Sequence, residues 1–172
     1  MDHNNKPTLY WSLLEKDNWK LYIAATSKGI CYIGPINESF DELSKWSKKH
    51  FPESLLNEDN IKLEEYKVEI VEYLEGNRKN FTFPTDLKGT EFQKKVWNAL
   101  CEIPYGETKS YSDVANAINK PTAVRAVGSA IGANPILMSV PCHRVIGKNG
   151  SLTGFRGGLE MKTRLLDLER QR

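Results

Sequence analysis

Long apolar runs and a cysteine framework are what this sequence lacks. It contains no stretch of about 18 apolar residues, the length that a membrane-spanning helix needs. Its first residues, Met1-Asp2-His3-Asn4-Asn5-Lys6, hold no apolar core, so no secretory signal is visible. Cysteine occurs at positions 31, 101 and 142 only. An odd number at wide spacing argues against a disulfide framework and for a reducing compartment. Cysteines and histidines scattered without ligand spacing argue against a zinc site, and no metal or other cofactor is expected. Internal repeats and low-complexity tracts are also missing. What remains is an ordinary globular mixture, 40% hydrophobic and 27% charged over 172 residues. A chain of this length buries about 70% of its unfolded surface without a staple. The expectation is a soluble, cytoplasmic protein of one domain or two small ones.

The net charge of +2 hides an asymmetry, because residues 1–88 carry −3 and residues 89–172 carry +5. A basic half beside an acidic one points weakly to a polyanionic partner, and chance scatter explains it equally well.

The first third reads as strands. Leu9–Leu14, Trp19–Thr26 and Ile30–Ile33 are rich in aromatic and β-branched residues, with turn signals at Lys16-Asp17-Asn18 and Ser27-Lys28-Gly29. Ser39-Phe40-Asp41-Glu42 has capping-box spacing and predicts a helix to about His50. A second helix from about Ile61 carries Leu63, Tyr66, Ile70 and Leu74 on one stripe and closes at Gly76. Phe81 and Phe83 alternate as in a short strand, and residues 84–89 read as a linker. The second half is mostly helical. Thr90-Glu91-Phe92-Gln93 is another capping box, with Phe92, Val96 and Leu100 on one face behind it. Ser110 and Asp113 open a short helix over Tyr111–Ile118, Asn119–Thr122 break it, and a third helix covers Ala123–Ala133. Asn134-Pro135 stops that helix, because the residue before proline is pushed out of the α region. Ile136–Val140 is a short apolar segment, residues 147–158 read as a glycine-rich mobile loop, and Leu159–Leu168 as the last helix. The predicted class is α+β, with a scaffold domain at 1–84 and a helical domain at 85–172.

Two constellations carry chemistry. The helices at 111–118 and 123–133 have helix-turn-helix proportions. The second is almost entirely Ala, Gly and Ser, with Arg125 its one charged side chain. Glycine inside a helix costs roughly 1 kcal/mol relative to alanine, so close approach of something is a reason to keep it. That something is either a neighbouring helix or a nucleic-acid groove. A sequence-specific reader is disfavoured, since such helices carry several long polar side chains. The second constellation centres on Cys142. A thiol attacks as thiolate, and an imidazole such as His143 can accept its proton. Glu169 stands on the apolar side of the last helix, three and four residues beyond Leu166 and Leu165. A carboxylate there needs a buried partner, and His143 is a candidate. Cys31 and Cys101 read as inert buried residues.

At this point the motifs resemble a known family. Ile103-Pro104-Tyr105-Gly106-Glu107-Thr108, Ser110-Tyr111, Arg125-Ala126-Val127-Gly128, Asn134-Pro135, Pro141-Cys142-His143-Arg144-Val145-Ile146-Gly147, Gly157-Gly158-Leu159 and Glu169 follow the O6-alkylguanine-DNA alkyltransferase pattern in order and spacing. The resemblance covers about residues 89–170. The N-terminal half is similar in size and element order to that family's ribonuclease-H-like domain. The resemblance implies direct-reversal repair of double-stranded DNA: one transfer of an alkyl group from O6 of guanine, or less readily O4 of thymine, to Cys142. It implies that His143 is the base through a water, that Glu169 holds its ring, that Asn134 braces the turn and that Tyr111 assists the leaving base. The nucleotide would be flipped out, Arg125 would fill its place, and the smooth helix with Ala126 would lie in the minor groove. Ser112, Lys120 and Lys148 would touch the DNA backbone, and Val145, Phe155 and Arg156 would line the substrate pocket. Phe155 stands where the family commonly has tyrosine, which implies an altered preference for bulky adducts. The protein is expected to be a monomer without metal; His3, Cys31 and His50 are the only metal-ligand types in the first half besides carboxylates. Alternatives are a non-catalytic lesion sensor, which would lack the cysteine, a methylation-responsive regulator, which would need a further domain, and a thiol hydrolase, which would not need the smooth helix or Arg125.

Overall fold

The computed structural model describes residues 6–152 and 154–170, so His3 lies outside the described residues. Three antiparallel strands, β1 (Thr8–Lys16), β2 (Trp19–Thr26) and β3 (Gly29–Ile33), follow one another through tight turns. Lys16 pairs with Trp19, and Asp17 takes φ +53°, a left-handed conformation that a short polar side chain tolerates. Helix α1 (Phe40–His50) then carries the chain to β4 (Leu55–Glu58), which lies parallel to β1 at the far edge, giving the order β3-β2-β1-β4. Ser39 precedes α1 in extended conformation but makes no side-chain cap; instead its carbonyl accepts the Glu42 N–H at 3.1 Å. The box expected there is not formed.

Both faces of the sheet are covered. Leu9, Ala24, Cys31 and Tyr32 pack with Leu43 of α1 on one side. On the other lie Leu21, Ile23, Ile30 and Ile33 against α2 (Glu64–Leu74), whose Tyr66, Ile70, Tyr73 and Leu74 are buried. Leu63, at the N-cap of α2, is fully buried too. The expected stripe is therefore correct, although α2 begins three residues later than Ile61, which is 88% exposed. Phe81 and Phe83 are not a strand. Their rings stack at 5.1 Å and lie against Tyr73 and Tyr66. Residues 84–89 hang on the edge of β3: Ile30 donates to the Pro84 carbonyl at 3.0 Å and Asp86 donates back to the Ile30 carbonyl at 2.7 Å. Gly29 is required there, because an added Cβ would sit 2.5 Å from the Pro84 carbonyl carbon.

The second half consists of α3 (Glu91–Cys101), α4 (Tyr111–Ala117), α5 (Val124–Gly132) and α6 (Leu159–Arg170). The capping box expected at Thr90/Gln93 forms, and the helix start at Ser110/Asp113 is a capping box as well. Val96, Trp97 and Leu100 of α3 join Val127, Ala130 and Ile131 of α5, Ile136–Met138 and Met161 and Leu165 of α6 in the same cluster as the sheet. One core thus runs through both halves. Cys31 is buried as expected, but Cys101 is exposed, because it ends α3 on the outer side.

Candidate active site

The segment after α5 is built to hold a cysteine. Asn134, fully buried, accepts the Ile136 N–H on Oδ1 at 3.0 Å, and its Nδ2 donates to the Val140 carbonyl at 2.9 Å and to the Cys142 sulfur at 3.1 Å. One amide therefore spans the turn and ends on the thiol. Ile33 of β3 donates to the Pro135 carbonyl and accepts from Leu137, so the sheet edge carries this segment. Residues Cys142–Arg144 form a single 3-10 turn, followed by a two-residue strand, β6 (Val145–Ile146), parallel to β5 (Lys109–Ser110).

Cys142 is 1% exposed. Burial pushes its thiol up to about 11, against the pull of the Asn134 amide, Lys162 and Arg156. At neutral pH it rests protonated, and an adjacent base must take the proton during reaction. His143, the next residue, is fully buried too. Its Nε2 meets Glu169 Oε2 at 2.7 Å, while Nδ1 is buried with no hydrogen-bond partner among the described residues. Burial holds the imidazole below its ordinary 6.5. Burial alone would raise the Glu169 carboxyl, but hydrogen bonds from His143, Arg144 and Tyr73 hold it well below the carboxylate range. An ionised Glu169 can only accept, so the imidazole proton sits on Nε2 and Nδ1 is left with a bare lone pair.

Glu169 is held from three other sides. Arg144 donates Nε to Oε1 at 2.8 Å and Nη2 to Oε2 at 2.9 Å, the Gly106 N–H donates to Oε1 at 3.2 Å, and the Tyr73 hydroxyl donates to Oε2. A further Arg144 nitrogen, Nη1, donates to the Ile103 carbonyl at 2.6 Å. On the same stripe of α6, the fully buried Lys162 donates to the Val145 carbonyl at 2.6 Å; burial lowers its ammonium and the Cys142 sulfur opposes that. Among the described residues, no group of three or more His, Cys, Asp or Glu could hold a metal.

The helix-turn-helix pair is present, with α4 packed on α5. Arg125, Ala126, Ser129 and Gly132 are exposed on α5. A Cβ at Gly128 would make ordinary 3.9 Å contacts with Tyr111, and one at Gly132 would meet nothing within 4 Å. Packing inside the protein therefore does not require these glycines. Tyr111 directs its hydroxyl to the Gly154 carbonyl at 3.4 Å, bringing α4 against the glycine-rich loop. Phe155 is buried at 9% exposure, its ring against Gly157. Arg156 follows it and leans on Tyr32. Lys120 and Lys148 are exposed and Ser112 is half-buried.

The family models for 6-O-methylguanine DNA methyltransferase match in two parts, the ribonuclease-like domain over residues 9–87 and the DNA-binding domain over residues 91–171. The inducible methylated-DNA–protein-cysteine methyltransferase of Bacillus subtilis is 68% identical over 97% of this chain and 93% of its own length. This chain belongs to that family. The Methanosarcina acetivorans methylated-DNA–protein-cysteine methyltransferase is 41% identical over 94% of this chain and 98% of its own. The O6-methylguanine methyltransferase structure from Mycobacterium tuberculosis superposes with a TM-score of 0.83 at 34% identity, covering 96% of this chain and 94% of that one. A second structure from that organism, a complex with DNA, gives 0.80 at 36% identity over 94% and 93%. The family's two-part architecture is the one expected from the sequence.

Of the residues singled out by sequence, the structure joins Asn134 to Cys142, His143 to Glu169, and Tyr111 to the loop that holds Phe155 and Arg156. It adds Tyr73, Arg144 and Lys162. Lys162 carried a signal, since it precedes Leu165, Leu166 and Glu169 by three, four and seven residues and so shares their buried stripe. Arg144 lay inside the quoted motif without a role. Tyr73 belongs to the first half, where no chemistry was expected.

Proposed function

We propose that the chain repairs DNA by direct reversal, with Cys142 as the acceptor of the alkyl group from O6-alkylguanine, and less readily from O4-alkylthymine. The observation that carries this is the pair of buried groups on consecutive residues: at 142 a thiol held by Asn134, and at 143 an imidazole whose tautomer Glu169 fixes. The thiol proton passes to His143 Nδ1, directly or through a water, as the S–C bond forms and the C–O6 bond breaks. The guanine anion takes up a proton, and the Tyr111 hydroxyl offsets its charge. The thioether is stable and nothing in the site regenerates the thiol, so each molecule acts once. An O6 atom inside duplex DNA reaches a buried thiol only if its nucleotide is flipped, at a cost of a few kcal/mol. The small exposed face of α5 fits a minor groove, with Ala126 against it and Arg125 in the vacated stack. Ser112, Lys120 and Lys148 then contact phosphates, and affinity falls with salt. Val145, Phe155 and the backbone N–H of Arg156 line the pocket. Residues 1–84 act as scaffold and 85–172 as the reacting domain, in a cytoplasmic monomer. No helix among the described residues is long and apolar enough to cross a membrane.

The test is intact mass after mixing with duplex DNA carrying one O6-methylguanine, beside Cys142→Ala. A gain of one methylene in the wild type alone, in the Cys142 peptide, is expected. Tight lesion binding without a gain would make the protein a sensor. Ester turnover without DNA would make it a hydrolase.

A further inference from the structure

Arg156 belongs to the glycine-rich loop, yet its side chain is bound by the other half of the protein. Its Nη2 donates to the Tyr32 hydroxyl at 3.1 Å, and its guanidinium carbon lies 5.1 Å from the centre of the Tyr32 ring. The Tyr32 hydroxyl in turn donates to Glu38, with oxygen–oxygen distances of 2.7 and 2.5 Å to the two carboxylate oxygens. Tyr32 is fully buried on β3, its ring 4.7 Å from that of Trp46 on α1, so it cannot follow a moving loop. Gly34 completes the arrangement: a Cβ there would collide with Glu38 Oε2 and with the Tyr32 ring. The absence of a side chain lets Glu38 fold back over Tyr32.

The neighbours of Arg156 are fixed in other directions. Phe155 is packed into the core with its ring against Gly157, and the Gly154 carbonyl receives the Tyr111 hydroxyl. The three residues 154–156 are thus tied to α4, to the core and to the sheet in turn. We propose that Arg156 is a positioning residue for alkyl transfer, through which Tyr32 and Glu38 of the N-terminal half set the backbone that faces the O6 atom. This rests on the reading of residues 154–156 as the pocket wall. It gives the first half a part in the reaction beyond scaffolding. A guanidinium serves where an ammonium would not, because its flat, rigid fork lies near the ring while one nitrogen reaches the hydroxyl.

The experiment compares wild type, Tyr32→Phe, Arg156→Ala, Arg156→Lys and Tyr32→Phe/Arg156→Ala. Maximal single-turnover methyl transfer at saturating lesion DNA is measured, together with affinity for lesion-free duplex and amide hydrogen exchange of residues 154–158. Tyr32→Phe keeps the ring and removes only the hydroxyl. It should slow transfer by roughly five- to thirtyfold, less than the ~100-fold that a 1 Å misplacement costs. Duplex affinity should stay unchanged and exchange of the loop amides should quicken. Arg156→Lys should match Arg156→Ala, and the double variant should be no slower than Arg156→Ala, the mark of two residues acting as one. Wild-type transfer by Tyr32→Phe, or losses that multiply in the double variant, would overturn the proposal. If the wild type itself transfers nothing, the underlying reading fails, while loop exchange still reports whether the latch exists.

Discussion

Glu169→Gln is the change that tests the site most directly, because it is nearly isosteric and removes one charge. The carboxylate accepts from Arg144 Nε and the Gly106 N–H on Oε1, and from His143, Arg144 Nη2 and Tyr73 on Oε2. A glutamine offers one oxygen and one NH2 group. Whichever way the amide turns, at least two donors face its NH2. The Arg144 guanidinium, 7% exposed, loses its counter-ion and keeps the Ile103 carbonyl. Breaking a buried ion pair from one side costs about 3–5 kcal/mol, a large share of the ~5–15 kcal/mol that holds a domain folded. The chemistry suffers separately. An NH2 facing the imidazole makes Nε2 the acceptor and puts the proton on Nδ1, the lone pair meant for the thiol. Losing a positioned general base lowers the rate by about 100- to 10,000-fold.

Urea unfolding gives the first quantity, and single-turnover transfer from O6-methylguanine DNA gives the second, at a temperature where circular dichroism shows the variant folded. Tyr73→Phe is the companion. It removes one donor and keeps the charge, so stability should fall by about 1.5–3 kcal/mol, as for a hydrogen bond to a charged group, with transfer slowed less than tenfold. Transfer by Glu169→Gln within threefold of wild type would refute the assignment of Nδ1 as the base. A stability loss below 1 kcal/mol would mean that Arg144 finds another partner.

Two further outcomes follow from the same geometry. Unfolding free energy should rise between pH 5 and 7, since an unfolded histidine takes up its proton near 6.5 while buried His143 resists until lower pH, so the unfolded state binds more protons in that window. Glu169 adds a loss on the acid side, where the unfolded carboxyl protonates near 4.5 and the folded one, held lower, does not. Urea titrations from about pH 3 to 7 check both, and a profile flat from pH 5 to 7 contradicts a buried neutral imidazole. Gly128→Ala should stabilise the protein by about 0.5–1 kcal/mol, since its Cβ would find only ordinary contacts and helix propensity improves. The same variant should bind duplex DNA more weakly; unchanged affinity would remove α5 from the groove.

Local signals carried most of the fold. Trp19–Thr26 is bounded as its composition indicates, and the boxes at Thr90 and Ser110 form because a side-chain acceptor and the residue three positions later are all that such a cap needs. Ser39 has the same spacing and no side-chain cap, because its carbonyl already takes the Glu42 N–H. Strand β4 was not legible: Leu55 is 54% exposed and the pattern has no alternation, so only its pairing with β1 makes it a strand. The site divides along the same line. Asn134, Cys142 and His143 are close in sequence and stand out together, whereas Arg144, beside them, shows no role until its contact with Glu169 is seen. Glu169 was placed by its helical stripe, a periodicity that reports burial but not the partner.

Tyr73 lies 96 residues from Glu169, and Arg156 lies 124 residues from Tyr32, so neither pairing leaves a trace in local spacing. Both join the first half to the second, where a reading by halves finds no chemistry. They act at different places: Tyr73 donates to the carboxylate that holds the imidazole, and Tyr32 holds Arg156 of the glycine-rich loop. A substitution in the sheet domain can therefore reach the reaction by two routes with different signatures. Loss of the Tyr73 hydroxyl should appear mainly in stability. Loss of the Tyr32 hydroxyl should appear in the transfer rate and in loop exchange.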